Sequence, residues 1–586
     1  MEPRVTGRQA MILAGFLQGG LLLSLHEWFR AFGYKASDLA WAAPAYVLAV
    51  LAPVTFGFLR GEFPVRRSLA GALGASLPFV ATAAWLGWSS RPFAEEQRML
   101  APVVSGLVLF CLSSVVAWFI LLPFVQSRLR EGRMSFQYAR LFDDAWRNAL
   151  LLANCALFAA LFWALLKLWA GLFLVLRIEV FRDLFASRSF AYLATAVAVG
   201  FAISLEEREA GALRTLRRHL LAFQTRLLPL AALIVVLFLG ALPIAGLEPV
   251  WSTGHATPLL LVVLAILVSL ANAAWQDGAQ PPPFPVPVQW LVRGALALSP
   301  VLAGLCIWSL SLRIAQHGWS VDRTWAVVLV ALATLYALGY AACALMRGWL
   351  RLLGTINTWL ALVAVATLLA IHTPLLDPAA LSAGSQVRRL LSGATTPERF
   401  DFDHLRFDLG RAGVGALHAL AALGDHPQAD AIREKAREAL ARKDRYAAEP
   451  AVLDEAAIRA RLAAHPAGSS VPPGFIAYLA ERLAARNSSH DLHALRSGKA
   501  VPLLAIDLGM GAEPELVLMA APFPAFAAVD GRWRQIGYFS FGGPPVMADE
   551  IAALLQRGDV RRVERAWSDI RLGDRKGVLM LRPDEP

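Results

Sequence analysis

Charge is what this sequence has least of. Only 17% of its 586 residues are Asp, Glu, Lys or Arg and 57% are hydrophobic, a balance that no soluble fold would tolerate. Cysteine is scarce too. The four, Cys111, Cys155, Cys306 and Cys343, fall in apolar runs without paired or metal-like spacing, so neither a disulfide framework nor a zinc site is indicated and small packing roles remain. Despite a net charge of +11 there is no compact Lys/Arg-rich recognition segment, which removes nucleic acid as a partner. The chemistry-bearing motifs are missing as well: no G-x-S-x-G occurs, no glycine-rich nucleotide loop is evident, and GALGAS from Gly71 lies inside an apolar run. No long low-complexity tract or sequence repeat is present.

What is present is a series of apolar runs long enough to cross a bilayer. Eleven spans are expected, at about 9–26, 39–59, 68–88, 100–124, 150–176, 190–205, 227–247, 257–275, 288–312, 324–345 and 355–371, the sixth being short. Arg4 and Arg8 precede the first run and no small-x-small cleavage pattern follows it, so it reads as an uncleaved anchor. The arginines recur in the short connections. On an eleven-span layout, loops on the N-terminal side hold about twice as many basic residues as the opposite loops, which predicts a cytoplasmic N-terminus and an extracytoplasmic tail. Trp290, Trp319, Trp325, Trp349 and Trp359 fall near span ends, where amphipathic rings prefer the headgroup level.

Three connections stand out. The 126–147 loop, with five arginines and SFQYARLFDDAW, predicts an interfacial segment with Phe136, Tyr138, Leu141 and Phe142 inward. IEVFRDLF after the fifth span predicts an amphipathic turn on the other face, with Phe181 and Phe185 on its apolar side. A basic loop from Arg208 to Arg226 suits contact with anionic lipid. The prolines at 281, 282, 283, 285 and 287 make an extended linker that cannot be helical.

Beyond residue 372 the period shortens to soluble helices: SQVRRLLSG, DHLRFDLGRAGVGALHALAAL, ADAIREKAREALARK, DEAAIRARLAAHP and GFIAYLAERLAARN. From Val501 it changes again. PLLAIDLG, ELVLMAAP and RWRQIGYFSF read as strands, followed by a helix near 549–556 and a last strand near 577–581. The fold class is therefore an all-α polytopic membrane bundle of about 11 helices with a soluble helical segment and a small α+β domain at its C-terminus. The expected domains are 1–372 (sub-bundles 1–147, 148–280 and 288–372), 373–497 and 498–586. The membrane part should fold without the tail, to which it is tethered at His372.

WRNALLLANCALFAALFWALLKLWAGLF, PLLDPAALSAGSQVRRLLSG and FDFDHLRFDLGRAG carry a resemblance. They look like the bacterial polytopic membrane family catalogued as domain of unknown function four-one-five-three. The resemblance implies a multi-spanning inner-membrane protein of the bacterial envelope with an extracytoplasmic helical tail, and it brings no catalytic residues. Members of that family resemble a calcium-loop pattern near IDLGMGAEPE. Here Asp507 is followed by Gly509 and Gly511, and Glu513 and Glu515 are too few and displaced, so a strand-turn-strand replaces the metal site.

Five polar residues are candidates for function. Lys167 lies about three positions past the midpoint of the fifth span, ~5 Å from the bilayer centre on a ~1.5 Å rise, and its ammonium should face a cavity, an anion or a structural acid, or else snorkel. Glu206 and Glu207 could relay protons or simply form a solvated helix end beside Arg208. His372 and Asp377 flank the exit of the last span, as gating groups or as parts of a rigid turn with Pro374 and Pro378. No cofactor or metal is called for. The lipid bilayer is the sure partner; an anionic lipid or small solute, and an envelope protein on the tail, are the further ones. Three functions fit: transport or lipid and solute handling, a non-enzymatic scaffold or sensor, and, last because no cluster of acids or histidines is evident, an integral-membrane enzyme.

Overall fold

The computed structural model describes residues 7–31, 39–90, 101–132, 136–248, 256–442, 453–466, 468–484, 492–496, 500–509, 514–520, 523–529 and 531–539, with short pieces at 551, 554–555, 557, 570–572 and 575–577. The chain divides into two compact units, Met1–Lys443 and Asp444–Pro586.

The first unit is helical. Its membrane part comprises α1 (Gly7–Ala31), α2 (Leu39–Arg60), α3 (Val65–Ser89), α4 (Ala101–Glu131), α5 (Tyr138–Val175), α6 (Val180–Ala186), α7 (Arg188–Ser204), α8 (Glu206–Ala245), α9 (Ala256–Trp275), α10 (Val286–His317), α11 (Val321–Leu345) and α12 (Leu353–Ala370). Among the described residues ten helices are long and apolar enough to cross a membrane, or eleven when α6 and α7, bent by 70° at their junction, count as one span. The chain is a multi-span membrane protein. Proline sits inside α2, α3, α4, α8 and α10, as neighbouring helices and side chains permit in a membrane. Thr82 Oγ1, for example, donates to Pro78 O and Phe79 O one turn back.

The α7 helix covers only 17 residues, about 25 Å. It nevertheless runs antiparallel to two long neighbours along its length. Gly15, Gly19 and Gly200 let α1 and α7 touch backbone to backbone: a Cβ at Gly15 would meet Ala196 O at 2.5 Å, one at Gly19 would meet Leu193 Cα at 2.8 Å, and one at Gly200 would meet Met11 O at 2.6 Å. This is the small-residue packing that membrane helices use where apolar burial gives no advantage over lipid. On the α5 side, Phe158 packs on Phe201 at 5.6 Å and Trp163 Nε1 donates to Thr195 Oγ1 at 3.0 Å.

Two connections differ from their sequence reading. Tyr138 begins a single 38-residue helix that runs without a break into the fifth span, so YARLFDDAW supplies the first turns of α5 instead of a separate interfacial segment. Leu141 and Phe142 are buried there. Likewise the basic loop is part of α8, which is helical for 40 residues. Neither stretch contains a proline before Pro229, and α5 has only Gly171 as a poor helix former, so nothing stops the helices. The proline linker is nonhelical up to Pro285, and Pro287 sits in the first turn of α10, where its missing N–H has no partner to lose. The IEVFRDLF turn forms α6, with Phe181 and Phe185 against Trp169 at 5.0 and 5.7 Å.

Burial has two centres. Phe58, Phe79, Trp118, Leu151 and Ile203 join α1–α5 and α7, while Leu228, Leu267, Leu296 and Tyr340 join α8–α12; residues 148–280 are shared between them. A polar ring closes the seam. Tyr340 OH donates to Asn357 Oδ1 at 2.8 Å and accepts from Asn272 Nδ2, and Asn357 Nδ2 donates to Asn272 Oδ1 at 2.6 Å and to Tyr138 OH at 3.2 Å. Nearby, Gln126 and Asn148 exchange amide hydrogen bonds of 3.2 and 2.9 Å. A charge network lies on this face: Glu62 holds Arg130 at 2.6 Å and also Arg147, Arg130 reaches Asp144 at 3.1 Å, and Arg217 pairs with Asp143 at 2.6 Å.

Four helices complete the first unit: α13 (Pro378–Leu391), α14 (Phe402–Asp408), α15 (Gly410–Ala421) and α16 (Ala429–Ala441). They have their own core, Leu390, Phe402, Leu405, Leu417 and Ile432, with Val321 of α11 packed against it. Residues 373–442 thus lie on the membrane helices, beyond a tether at His372.

The second unit holds α17 (Glu455–Arg461), α18 (Pro473–Ala484), α19 (His493–Arg496) and a sheet in the order β1-β2-β3-β4-β5, from β1 (Leu462–His465), β2 (Val501–Ile506), β3 (Glu515–Leu518), β4 (Pro524–Val529) and β5 (Arg532–Tyr538). The β1 and β2 strands are parallel and the other pairs antiparallel; Phe475 of α18 packs on Phe526 and Trp533. The LAAH segment, read as helix from its alanines, is the edge strand β1, because pairing with β2 outweighs its propensity. A two-stranded ribbon, β6 (Ile570–Leu572) and β7 (Arg575–Gly577), follows. The expected helix near 549–556 and the end of the last strand lie largely outside the described residues.

Candidate functional site

The residues that follow α12 build a constellation where buried polar groups, an apolar wall and open space meet. Asp377 is the N-cap of α13, its Oδ1 accepting from Ala379 N at 2.9 Å and Ala380 N at 3.4 Å, with the Trp85 indole donating to the same carboxylate. Once started there, α13 lies across the α10–α11 loop. Ser385 Oγ accepts from Trp319 N at 3.0 Å, Gln386 Nε2 donates to Trp319 O at 3.1 Å, and Arg389 Nη2 donates to Gln316 O at 3.1 Å. Gly318, at φ +74°, is needed twice over, since a Cβ there would also strike Arg389 Cδ at 2.7 Å. On the other side Arg411 of α15 stacks on Trp88 of α3, 4.0 Å from the ring centroid.

Between these two attachments lies a pocket of about 400 Å³. Leu86, Leu109 and Trp325 form its apolar wall; Asp322, His372, Asp377, His404 and Asp408 are its titratable groups. His372 is buried between Phe110 at 4.9 Å and Trp325 at 5.5 Å and shares a 2.7 Å hydrogen bond with Ser113 Oγ. Burial pushes its imidazole down to about 4, so the ring is neutral at pH 7. Burial raises the Asp377 carboxyl, partly offset by the hydrogen bonds from Ala379, Ala380 and Trp85. His404 Nδ1 and Asp408 Oδ2 pair at 2.8 Å. Asp322, exposed at the rim in the first turn of α11, has no hydrogen-bond or ion-pair partner among the described residues.

His372 and Asp377 therefore come together, and the structure adds Asp322, His404 and Asp408 to them. Their sequence signals were faint: an acid just inside a helix start for Asp322, and an i,i+4 pair on a seven-residue helix for the other two.

Lys167 is elsewhere. It is exposed on the outer face of α5, without a polar partner among the described residues, so the inward-facing position expected of it is not the one observed. The span begins earlier than the 150–176 expected from hydropathy: Asp144 is tied into the charge network and Asn148 into the amide pair at the opposite end. From Asn148 to Lys167 the helix rises about 28 Å, nearly the whole ~30 Å of hydrocarbon. The neighbouring chain agrees: Trp163 and Trp169 flank Lys167 and touch Phe190 and Phe185, placing it level with the charged junction of α6 and α7 at Arg188. An ammonium at that level snorkels to the headgroups. Lys167→Leu is accordingly expected to leave folded yield unchanged and thermal stability within about 0.5 kcal/mol of the parent, measured by unfolding of the purified protein; loss of folded protein would show that the amine has a partner inside.

Glu206 and Glu207 stand in the first turn of α8, and their side chains lie outside the described residues. In the second unit Glu515 is fully buried in β3 and accepts from Leu508 N at 2.7 Å, while Asp507 Oδ1 accepts from Gly509 N at 2.8 Å in a local turn. Among the described residues no group of three or more His, Cys, Asp or Glu is arranged to hold a metal. No protein family model, no curated protein and no solved structure matches this chain.

Proposed function

We propose that this multi-span membrane protein binds a small amphipathic molecule at the membrane surface, with a cationic or hydrogen-bond-donating head among Asp322, Asp377 and the neutral His372 and an apolar body along Leu86, Leu109 and Trp325. The pocket carries the reading: its size falls in the range of small-molecule sites, and its lining combines an apolar wall with several polar groups. The excess of basic residues on the Arg130 side supports a cytoplasmic N-terminus, which places the pocket on the extracytoplasmic side. The resemblance to the bacterial family of unknown function is part of the same proposal and is the reason for assigning an inner membrane; the role in solute or lipid handling rests on the pocket alone.

Charge is the testable element. Decylamine and decanol share an apolar body and differ in the head, so the amine should bind the full-length protein at least tenfold more tightly than the alcohol. Asp322→Asn with Asp377→Asn should remove that preference while keeping the fold, because Asn also caps α13. Affinity for the amine should fall as pH is lowered from 7.5 into the acid range, since burial raises the Asp377 carboxyl and it takes up its proton sooner than an ordinary aspartate, while His372 stays neutral until about pH 4 and adds no positive charge of its own. Equal binding of amine and alcohol at pH 7.5 would refute the assignment.

A further inference from the structure

A second cavity, of about 510 Å³, opens between the start of α10 and the end of α11, at the face that carries the charge network. Its chemistry is the reverse of the first. Arg293 and Arg347 line it, and no carboxylate among the described residues does. Arg293 is held rigidly: its Nε donates to Ala344 O at 2.7 Å and its Nη2 to Met346 O at 2.8 Å, satisfying carbonyls that the end of α11 leaves open, while its guanidinium lies 5.1 Å from the Trp290 ring centroid. These bonds leave Nη1 unused. Arg347 is exposed and has no hydrogen-bond or ion-pair partner among the described residues. Two cations share one groove without a counter-charge.

The walls of the groove are apolar and outward-facing. Trp290 is 65% and Leu345 74% exposed, as residues that touch lipid would be. Between them Gly294 opens the floor, where a Cβ would meet nothing within 4 Å. An inorganic anion would use the arginines and leave those walls idle, whereas a phospholipid uses both. We infer that this groove is a binding site for an anionic phospholipid, its phosphate between Arg293 and Arg347, its glycerol over Gly294 and an acyl chain against Trp290 and Leu345. Basic pockets between membrane helices recognise headgroups in this way, charge supplying the attraction and the groove the selectivity. This inference is independent of the ligand proposed for the His372 pocket.

The test is native mass spectrometry of the detergent-solubilised full chain titrated with phosphatidylglycerol, phosphatidylcholine or inorganic phosphate. Phosphatidylglycerol should bind at least tenfold more tightly than phosphatidylcholine, and millimolar phosphate should not displace it. Gly294→Phe fills the groove without meeting protein atoms at its Cβ, and Arg347→Gln removes an unpaired surface charge; each should weaken phosphatidylglycerol binding at least tenfold. Should Gly294→Phe fail to fold, Arg347→Gln decides alone. Unchanged binding in Arg347→Gln, equal binding of the two lipids, or displacement by phosphate would overturn the site.

Discussion

Gly15→Leu, Gly19→Leu and Gly200→Leu should each reduce the yield of folded, monodisperse protein by an order of magnitude or more, whereas Gly20→Leu should be tolerated. At the first three positions the added Cβ meets backbone atoms of the facing helix at 2.5 to 2.8 Å, and backbone cannot rotate aside as a side chain can. The helices would have to separate by about an ångström or more along the whole contact. In a membrane that loss has no hydrophobic compensation, because lipid solvates the parted faces as well as protein does. The α7 helix is the element least able to absorb it: it is short, begins at a 70° bend, and takes its place from α1 on one side and α5 on the other. Overpacking typically costs about 1–3 kcal/mol, and a backbone clash in a short span belongs at or above the upper end. At Gly20, adjacent in sequence, an added Cβ would meet nothing within 4 Å, and this position serves as the control. Size-exclusion recovery of the four variants reads the effect, and equal recovery of Gly19→Leu and Gly20→Leu would contradict the packing described.

Asn357→Ala should be the most damaging single truncation at the seam between the two burial centres, lowering stability by about 2–4 kcal/mol. Asn357 accepts from Tyr340 and donates to Asn272 and Tyr138, so its loss removes three hydrogen bonds at once. At the ~0.6 kcal/mol found on average for such bonds between membrane helices, three give about 2 kcal/mol. The hydroxyls and amide left without partners in a buried site add to this. Tyr340→Phe removes the hydroxyl that bridges Asn272 and Asn357 but orphans smaller groups, and about half the loss is expected. Reversible unfolding in mixed micelles measures both; a loss below about 0.5 kcal/mol for Asn357→Ala would mean that the ring does not hold the seam.

The spans were legible because apolar runs of bilayer length have few alternative fates. Their ends were less so. Nothing in SFQYARLFDDAW or in the arginine-rich start of α8 says whether a helix lies on the membrane or continues through it; packing of Phe142 and the pairing of Arg217 with Asp143 decide that. The GFLQG stretch does contain the glycine spacing of a close helix contact, but only Leu193, Ala196 and Gly200 on α7 give it a partner. For the pocket, His372 and Asp377 were readable as polar residues at a span exit. Asp322 and the His404–Asp408 pair join them only through the docking of α13 on the α10–α11 loop and of Arg411 on Trp88, contacts between residues far apart in sequence. Lys167 shows the converse error: a charge in an apolar run is placed at the right depth only when the fixed polar end of its helix is known.

The most direct test of the pocket is a cryo-electron-microscopy map of the full chain purified in native lipid. Non-protein density should lie between Trp325 and Asp377, its polar end within hydrogen-bond distance of the Asp322 or Asp377 carboxylate and its body along Leu86 and Leu109. A pocket closed by side chains, or one holding only isolated waters at saturating decylamine, would contradict the account.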